Sequence, residues 1–146
     1  MTTALDIVTE ARTWLGTPFH HQGRVKGVGV DCAGLVICTA KELGLVAQDY
    51  DFKGYSRTPD GGSLIAECDR LLTRIGQEDM RPGCVAVFHF AHDPQHLGIV
   101  ADYLHGGLSL IHALASADGK GSVVEQRLSI DILRRLVQGY AFPGVA

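Results

Sequence analysis

Apolar residues at Leu5, Val8, Ala11, Trp14 and Leu15 recur at intervals of three and four, and predict an amphipathic helix over residues 3 to 15. Thr2 or Thr3 offers its N-cap, and Gly16 and Pro18 end it. Glycines at 16, 23, 27 and 29 mark residues 16 to 30 as a sharply bending loop. From Asp31 to Gly44 the chain is apolar nearly all round and stops at a glycine, the pattern of a largely buried helix with Cys32 in its first turn. After a polar connection from Gln48 to Gly62, a further amphipathic helix is predicted from Ser63 to Ile75. It carries Leu64, Ile65, Cys68, Leu71, Leu72 and Ile75 on one side and Gly76 at its end.

The second half changes period. Cys84 to Phe90, His96 to Tyr103, Leu108 to Ala113 and Val123 to Leu128 are short β-rich runs, separated by turn clusters at Asp93-Pro94, His105-Gly106-Gly107 and Asp118-Gly119. They predict an antiparallel meander. Ile130 to Leu136 reads as a short helix, and Gly139 to Pro143 as a closing strand. Helices first and strands afterwards give an α+β class, with N-terminal helices packed on a central antiparallel β-sheet. There is no repeat, linker or low-complexity stretch, so residues 1–146 are expected to form a single domain.

Composition narrows the function classes. At 46% apolar and 20% charged residues the chain has the balance of a globular domain. Its net charge is −3, with Lys and Arg scattered, so the basic stripe that nucleic acid binding needs is missing. No run approaches the roughly 18 apolar residues of a membrane span. The amino terminus lacks the basic and apolar regions of a secretory signal, and the expectation is synthesis in the cytoplasm without one. Cys32, Cys38, Cys68 and Cys84 contain no Cys-x-x-Cys pair, so neither a metal nor a redox site is expected. Cys38, Cys68 and Cys84 read as small buried hydrophobes.

Cys32 differs from these three by position. A thiol attacks as thiolate, a form favoured by the positive end of a helix dipole. The small Ala33 and Gly34 that follow leave the sulfur accessible, and backbone N–H groups of the same turn can bind an oxyanion. His96, at the start of a predicted strand, is the candidate base. A third polar group must orient its imidazole, and hairpin pairing of successive strands can bring His112 beside it. Taken singly, each of these residues is more often a packing residue. The ordered combination is what points to chemistry.

At these residues the sequence resembles the NlpC/P60 family of papain-like cell-wall peptidases. The resemblance is carried by Gly16-Thr17-Pro18-Phe19, Asp31-Cys32-Ala33-Gly34-Leu35-Val36, Arg81-Pro82-Gly83, His96-Leu97-Gly98-Ile99-Val100 and Ile111-His112-Ala113, over about residues 5 to 115. It implies a papain-like fold, Cys32 as nucleophile, His96 as general base and His112 as its orienting group, with no metal or cofactor. It also implies hydrolysis of a stem-peptide amide of peptidoglycan, between γ-D-glutamate and the diamino acid. Many family members have tyrosine where this chain has Phe19. Either that hydroxyl is not needed or His20, His21 or Gln22 replaces it, so Phe19, His20, His21, Gln22, Asp31 and Ala33 form the candidate substrate- and oxyanion-binding set.

The segment from Gly16 to Gly23, with the run leading to Asp31-Cys32, looks closer to the subgroup encoded with phage tails, including those of gene transfer agents. That implies incorporation in a phage-like tail, hub or baseplate proteins as partners, and action on the wall. Leu128 to Ala146 either docks such a partner or packs on the domain's own sheet. Two other readings stand beside this one. The chain is a structural hub component with lost activity, which Phe19 supports, or a thiol amidase or acyltransferase on a lipid or small amide.

Overall fold

Thr3 starts the first helix, α1 (Ala4–Arg12), through a capping box: its hydroxyl accepts from the Asp6 N–H at 3.2 Å, and the Asp6 carboxylate accepts from the Thr3 N–H at 2.8 Å. Ile7, Val8 and Ala11 are its buried face. The helix stops three residues before the predicted end, in a turn that still buries Trp14. The glycine-rich stretch contains a small antiparallel hairpin, β1 (Arg24–Val25) and β2 (Gly29–Val30). It delivers the chain to Asp31, the N-cap of α2 (Cys32–Glu42), which is buried on nearly every side as its composition requires. The computed structural model describes residues 1–56, 62–90 and 93–145; the predicted polar connection is therefore described only to Ser56 and from Gly62, and residues 57–61 lie outside it.

The third predicted helix is too long. α3 (Ser63–Leu71) ends at Leu72, whose backbone is extended, and the next residues form β3 (Thr73–Ile75). A 3-10 turn (Gln77–Asp79) follows Gly76. The Leu71, Leu72 and Ile75 spacing suits a helix, but Thr73 to Ile75 instead complete a sheet edge by pairing with a strand more than sixty residues away, Ile75 opposite Gly139. Tertiary pairing of this kind overrides local periodicity.

The remaining elements are β4 (Val85–Phe90), β5 (Asp93–Asp102), β6 (Leu108–Ala113), β7 (Val123–Arg127), α4 (Ile130–Leu133) and β8 (Leu136–Ala141). They form one antiparallel sheet in the order β3-β8-β4-β5-β6-β7. The predicted meander is its β4-to-β7 part, and β8 returns to the free side of β4. Two boundaries need correction. The expected turn at Asp93-Pro94 is strand, because Asp93 pairs with Phe90. The last helix is four residues long, and β8 starts at Leu136, where Phe88 supplies a partner.

Alternation along the strands divides the sheet between two cores. Val85, Val87, Leu97, Ile99, Ala101, Ile111, Ala113 and Val123 pack with α1 and α2. Ala86, Phe88, Val100, Leu110 and Leu128 pack on the other face with Met80, Cys84 and residues of α4. Phe142 and Tyr140 belong to the first core and Leu128 to the second, so the end of the chain packs on its own sheet. No helix among the described residues is long and apolar enough to cross a membrane.

Candidate active site

The amino end of α2 is fixed by an unusually complete set of donors on Asp31. Its carboxylate, nearly inaccessible to solvent, accepts from the N–H of Gly34 (2.8 Å), the N–H of Gln22 (2.7 Å), the Arg24 guanidinium (3.0 Å) and the Tyr55 hydroxyl (2.6 Å). Arg24 also donates to the Asp51 carboxylate and to the carbonyls of Gly23 and Phe52. Burial works against its charge, but the Tyr55 hydrogen bond and the Asp31 and Asp51 partners raise its pKa on balance. Tyr55 is held protonated, first by burial and then by its hydrogen bond to Asp31. Gly34 has no alternative at its position. A Cβ there would stand 2.5 Å from the Gly23 carbonyl oxygen and 2.8 Å from both Arg24 and Val30, because the hairpin loop crosses the helix at that point.

Cys32 follows Asp31 in the first turn, and its sulfur lies 3.9 Å from the main-chain carbonyl oxygen of Gln95. The next residue on β5 is His96, so the thiol and the predicted base come from adjoining parts of the structure. The Gln95 side chain accepts from the N–H of Leu64, which ties β5 to the start of α3. His96 is the fourth residue of β5, not its first, and it is buried with its ring 4.9 Å from that of Phe90, centroid to centroid.

Three strands contribute one hydrogen-bonded line. His96 Nε2 is 2.7 Å from His112 Nδ1, and His112 Nε2 is 2.9 Å from Gln126 Oε1 on β7. His112 is pushed down to about 4, mainly by burial and then by the charge of His96, with Gln126 opposing, so it is neutral at neutral pH. An amide oxygen only accepts, which puts the His112 hydrogen on Nε2 and makes His112 Nδ1 the acceptor of the His96 Nε2 hydrogen. His96 then has Nδ1 as its basic nitrogen.

The candidate binding set is less uniform. Phe19 is half-buried against the main core and bridges to Val30. His20 Nδ1 lies 3.0 Å from the His21 carbonyl oxygen, and the His20 backbone N–H donates to Val30. His21 sits 3.9 Å from the Asp31 carboxylate and edge-on to Tyr55, with 22% of its side chain exposed. Gln22 and Asp31 both make hydrogen bonds that hold the loop and the start of α2. The Gln22 amide nitrogen is committed to the carbonyls of Lys53 and Tyr55, 2.9 Å each, and the Asp31 oxygens are taken up in capping. Ala33 is buried in the first turn of α2. Among the other thiols, burial raises the pKa of Cys38 and pushes that of Cys68 up to about 12. Among the described residues no group of three or more His, Cys, Asp or Glu side chains is placed to hold a metal ion.

Sequence reasoning missed Arg24, Tyr55 and Gln126. Gln126 alone left a usable signal: the second strand after that of the base, read with alternation, places it on the face of Val124, which pairs with His112.

No protein-family model matches the chain, and no curated protein matches it. Solved structures do. The NlpC/p60 domain of the peptidoglycan hydrolase SagA is 20% identical, with a TM-score of 0.63 over 96% of this chain and 99% of that one. A Bacillus cereus NlpC/P60 family protein is 18% identical, with a TM-score of 0.66 over 96% of this chain and 40% of its own. A Staphylococcus aureus protein similar to lipoprotein, of the NLP/P60 family, is 18% identical with a TM-score of 0.64, over 95% of this chain and 41% of its own. This chain thus matches less than half the length of those two. The fold is that of NlpC/P60 domains, papain-like and α+β.

Proposed function

We propose that this chain is a cysteine hydrolase acting on amide bonds of the peptidoglycan stem peptide, with Cys32 as nucleophile, His96 as general base and His112 as its orienting group. The observation that carries this reading is the Gln126–His112–His96 line, ending one residue from the carbonyl that touches the Cys32 sulfur.

His96 Nδ1 takes the thiol proton, and the sulfur attacks the amide carbon, moving the carbonyl electron pair onto oxygen. N–H groups at the start of α2, that of Ala33 among them, stabilise the oxyanion, with the loop histidine His21 as a further candidate donor. The tetrahedral intermediate collapses to a thioester and expels the amine, which receives the proton from His96. Water then attacks the thioester with His96 as base, releasing the carboxylic acid and restoring the thiol.

The finer assignments rest on the sequence resemblance. They are a γ-D-glutamyl to diamino-acid scissile bond, and carriage by a phage-like tail with hub or baseplate proteins as partners. The relation in fold to a peptidoglycan hydrolase domain supports the substrate class.

The test is digestion of purified peptidoglycan and of defined stem peptides, with products identified by mass spectrometry. Cys32→Ala abolishes fragment release and Cys38→Ser retains it. Cleavage at a bond outside the stem peptide would replace the substrate assignment.

A further inference from the structure

The residue next to the nucleophile carries a charge of the wrong sign. A carboxylate adjoining a thiol disfavours thiolate and counteracts the helix dipole. Asp31 is nonetheless a sound N-cap, and the structure shows what offsets its charge. The Arg24 guanidinium, with 14% of its side chain exposed, meets Asp31 Oδ1 at 3.0 Å, while the Tyr55 hydroxyl and the Gln22 N–H hold Oδ2. Arg24 is itself fixed by Asp51, Phe52 and Gly23, so its charge cannot swing away.

We propose that Arg24 is a positioning residue for the nucleophile: its guanidinium cancels the Asp31 carboxylate and holds it as a helix cap, so that the start of α2 presents net positive potential to the Cys32 sulfur. The inference rests on Cys32 being the nucleophile. Among the described residues, the other titratable or charged groups around this end of α2 include His21 on the same loop, Cys38 on α2 itself, with its sulfur 3.7 Å from the Arg24 carbonyl oxygen, Asp51, Lys53 and Tyr55 on the following segment, Glu67 on α3, and His96 and His112 on the sheet. Asp51 binds Arg24 with Lys53 3.9 Å from its other oxygen, and Glu67 is taken up by Tyr50 and Arg70. Arg24 is therefore the close permanent cation on Asp31; His21, at 3.9 Å, contributes only when protonated.

The experiment is the pH dependence of Cys32 alkylation by iodoacetamide, resolved by peptide mass spectrometry, for the folded wild type, Arg24→Gln, Arg24→Lys, Asp31→Asn and the Arg24→Gln/Asp31→Asn double variant. Arg24→Gln moves the midpoint up by about one pH unit, which is up to tenfold less thiolate at neutral pH. Arg24→Lys stays near wild type. The double variant returns toward wild type although its hydrogen-bond network is no better, an outcome that a purely structural role for Arg24 does not give. Should Arg24→Gln fail to fold, Asp31→Asn carries the test: asparagine still caps, and the remaining guanidinium lowers the midpoint. A low wild-type midpoint left unchanged by Arg24→Gln, or by Asp31→Asn where Arg24→Gln does not fold, overturns the inference and leaves the nucleophile standing. Wild-type Cys32 reacting no faster than Cys38 removes both.

Discussion

Gln126 Oε1 accepts a hydrogen bond from His112 Nε2 at 2.9 Å, and through it a residue on the edge strand β7 sets the tautomer of a histidine and of that histidine's neighbour. The same bond makes the line directional: hydrogen on each Nε2, lone pair on each Nδ1. Replacing the amide by a carboxylate, Gln126→Glu, gives His112 an anionic partner and raises its pKa by at least about one unit. Histidine titration by NMR measures this. The His112 signals move at a higher pH than in wild type, and a titration unchanged by the substitution counts against the line as drawn.

Burial of His112 also predicts an acid sensitivity. Its pKa in the folded chain, about 4, lies below the 6.5 of the free side chain, with burial the main cause and the charge of His96 the next. The unfolded chain therefore takes up this proton first. The stability at stake is complete above about pH 6.5 and is lost as pH falls from there toward 4, at up to about 1.4 kcal/mol per pH unit. Urea unfolding of wild type and His112→Phe between about pH 6.5 and 5, above most carboxylate titrations, separates this contribution from that of the other histidines. His112→Phe makes the dependence shallower, whereas equal slopes in the two proteins would assign it elsewhere.

Much of this arrangement is legible in the sequence where the cause is local. Asp31 reads as the start of α2 because an N-cap aspartate precedes an apolar run, and Cys32 follows into the first turn. β6 falls at its predicted limits, since alternation and flanking turns both mark it. Thr73 to Ile75 is misread because only a distant strand makes it β3. Arg24 and Tyr55 escape for the same reason. Nothing within a few residues of Arg24 announces that it will meet Asp31 from one side and Asp51 from the other.

The glycine after Cys32-Ala33 gives a prediction about stability. A methyl group at Gly34 meets the backbone oxygen of Gly23 at 2.5 Å and the Arg24 guanidinium, which is held by Asp31 and Asp51, at 2.8 Å. Gly34→Ala lowers stability by about 2 kcal/mol or more, within the upper range of overpacking costs. Chemical denaturation reads it, and a wild-type midpoint would show that the hairpin does not cross the helix this closely.

Two of the other thiols are set back by their surroundings. Cys68, pushed up to about 12, and Cys38, raised by burial, are suppressed as nucleophiles near neutral pH. In a time course with limiting alkylating reagent Cys32 is modified first, and loss of hydrolysis follows its modification. Inactivation that tracks Cys38 or Cys68 instead contradicts the ranking.

The central claim is a covalent one and is open to direct observation. The protein is mixed with a defined stem peptide, quenched in acid before one turnover is complete, and weighed intact and after digestion. The account predicts an added mass equal to the acyl portion of the substrate, confined to the Cys32 peptide and absent in Cys32→Ala. Undiminished hydrolysis by Cys32→Ala, or an adduct on another residue, would contradict it.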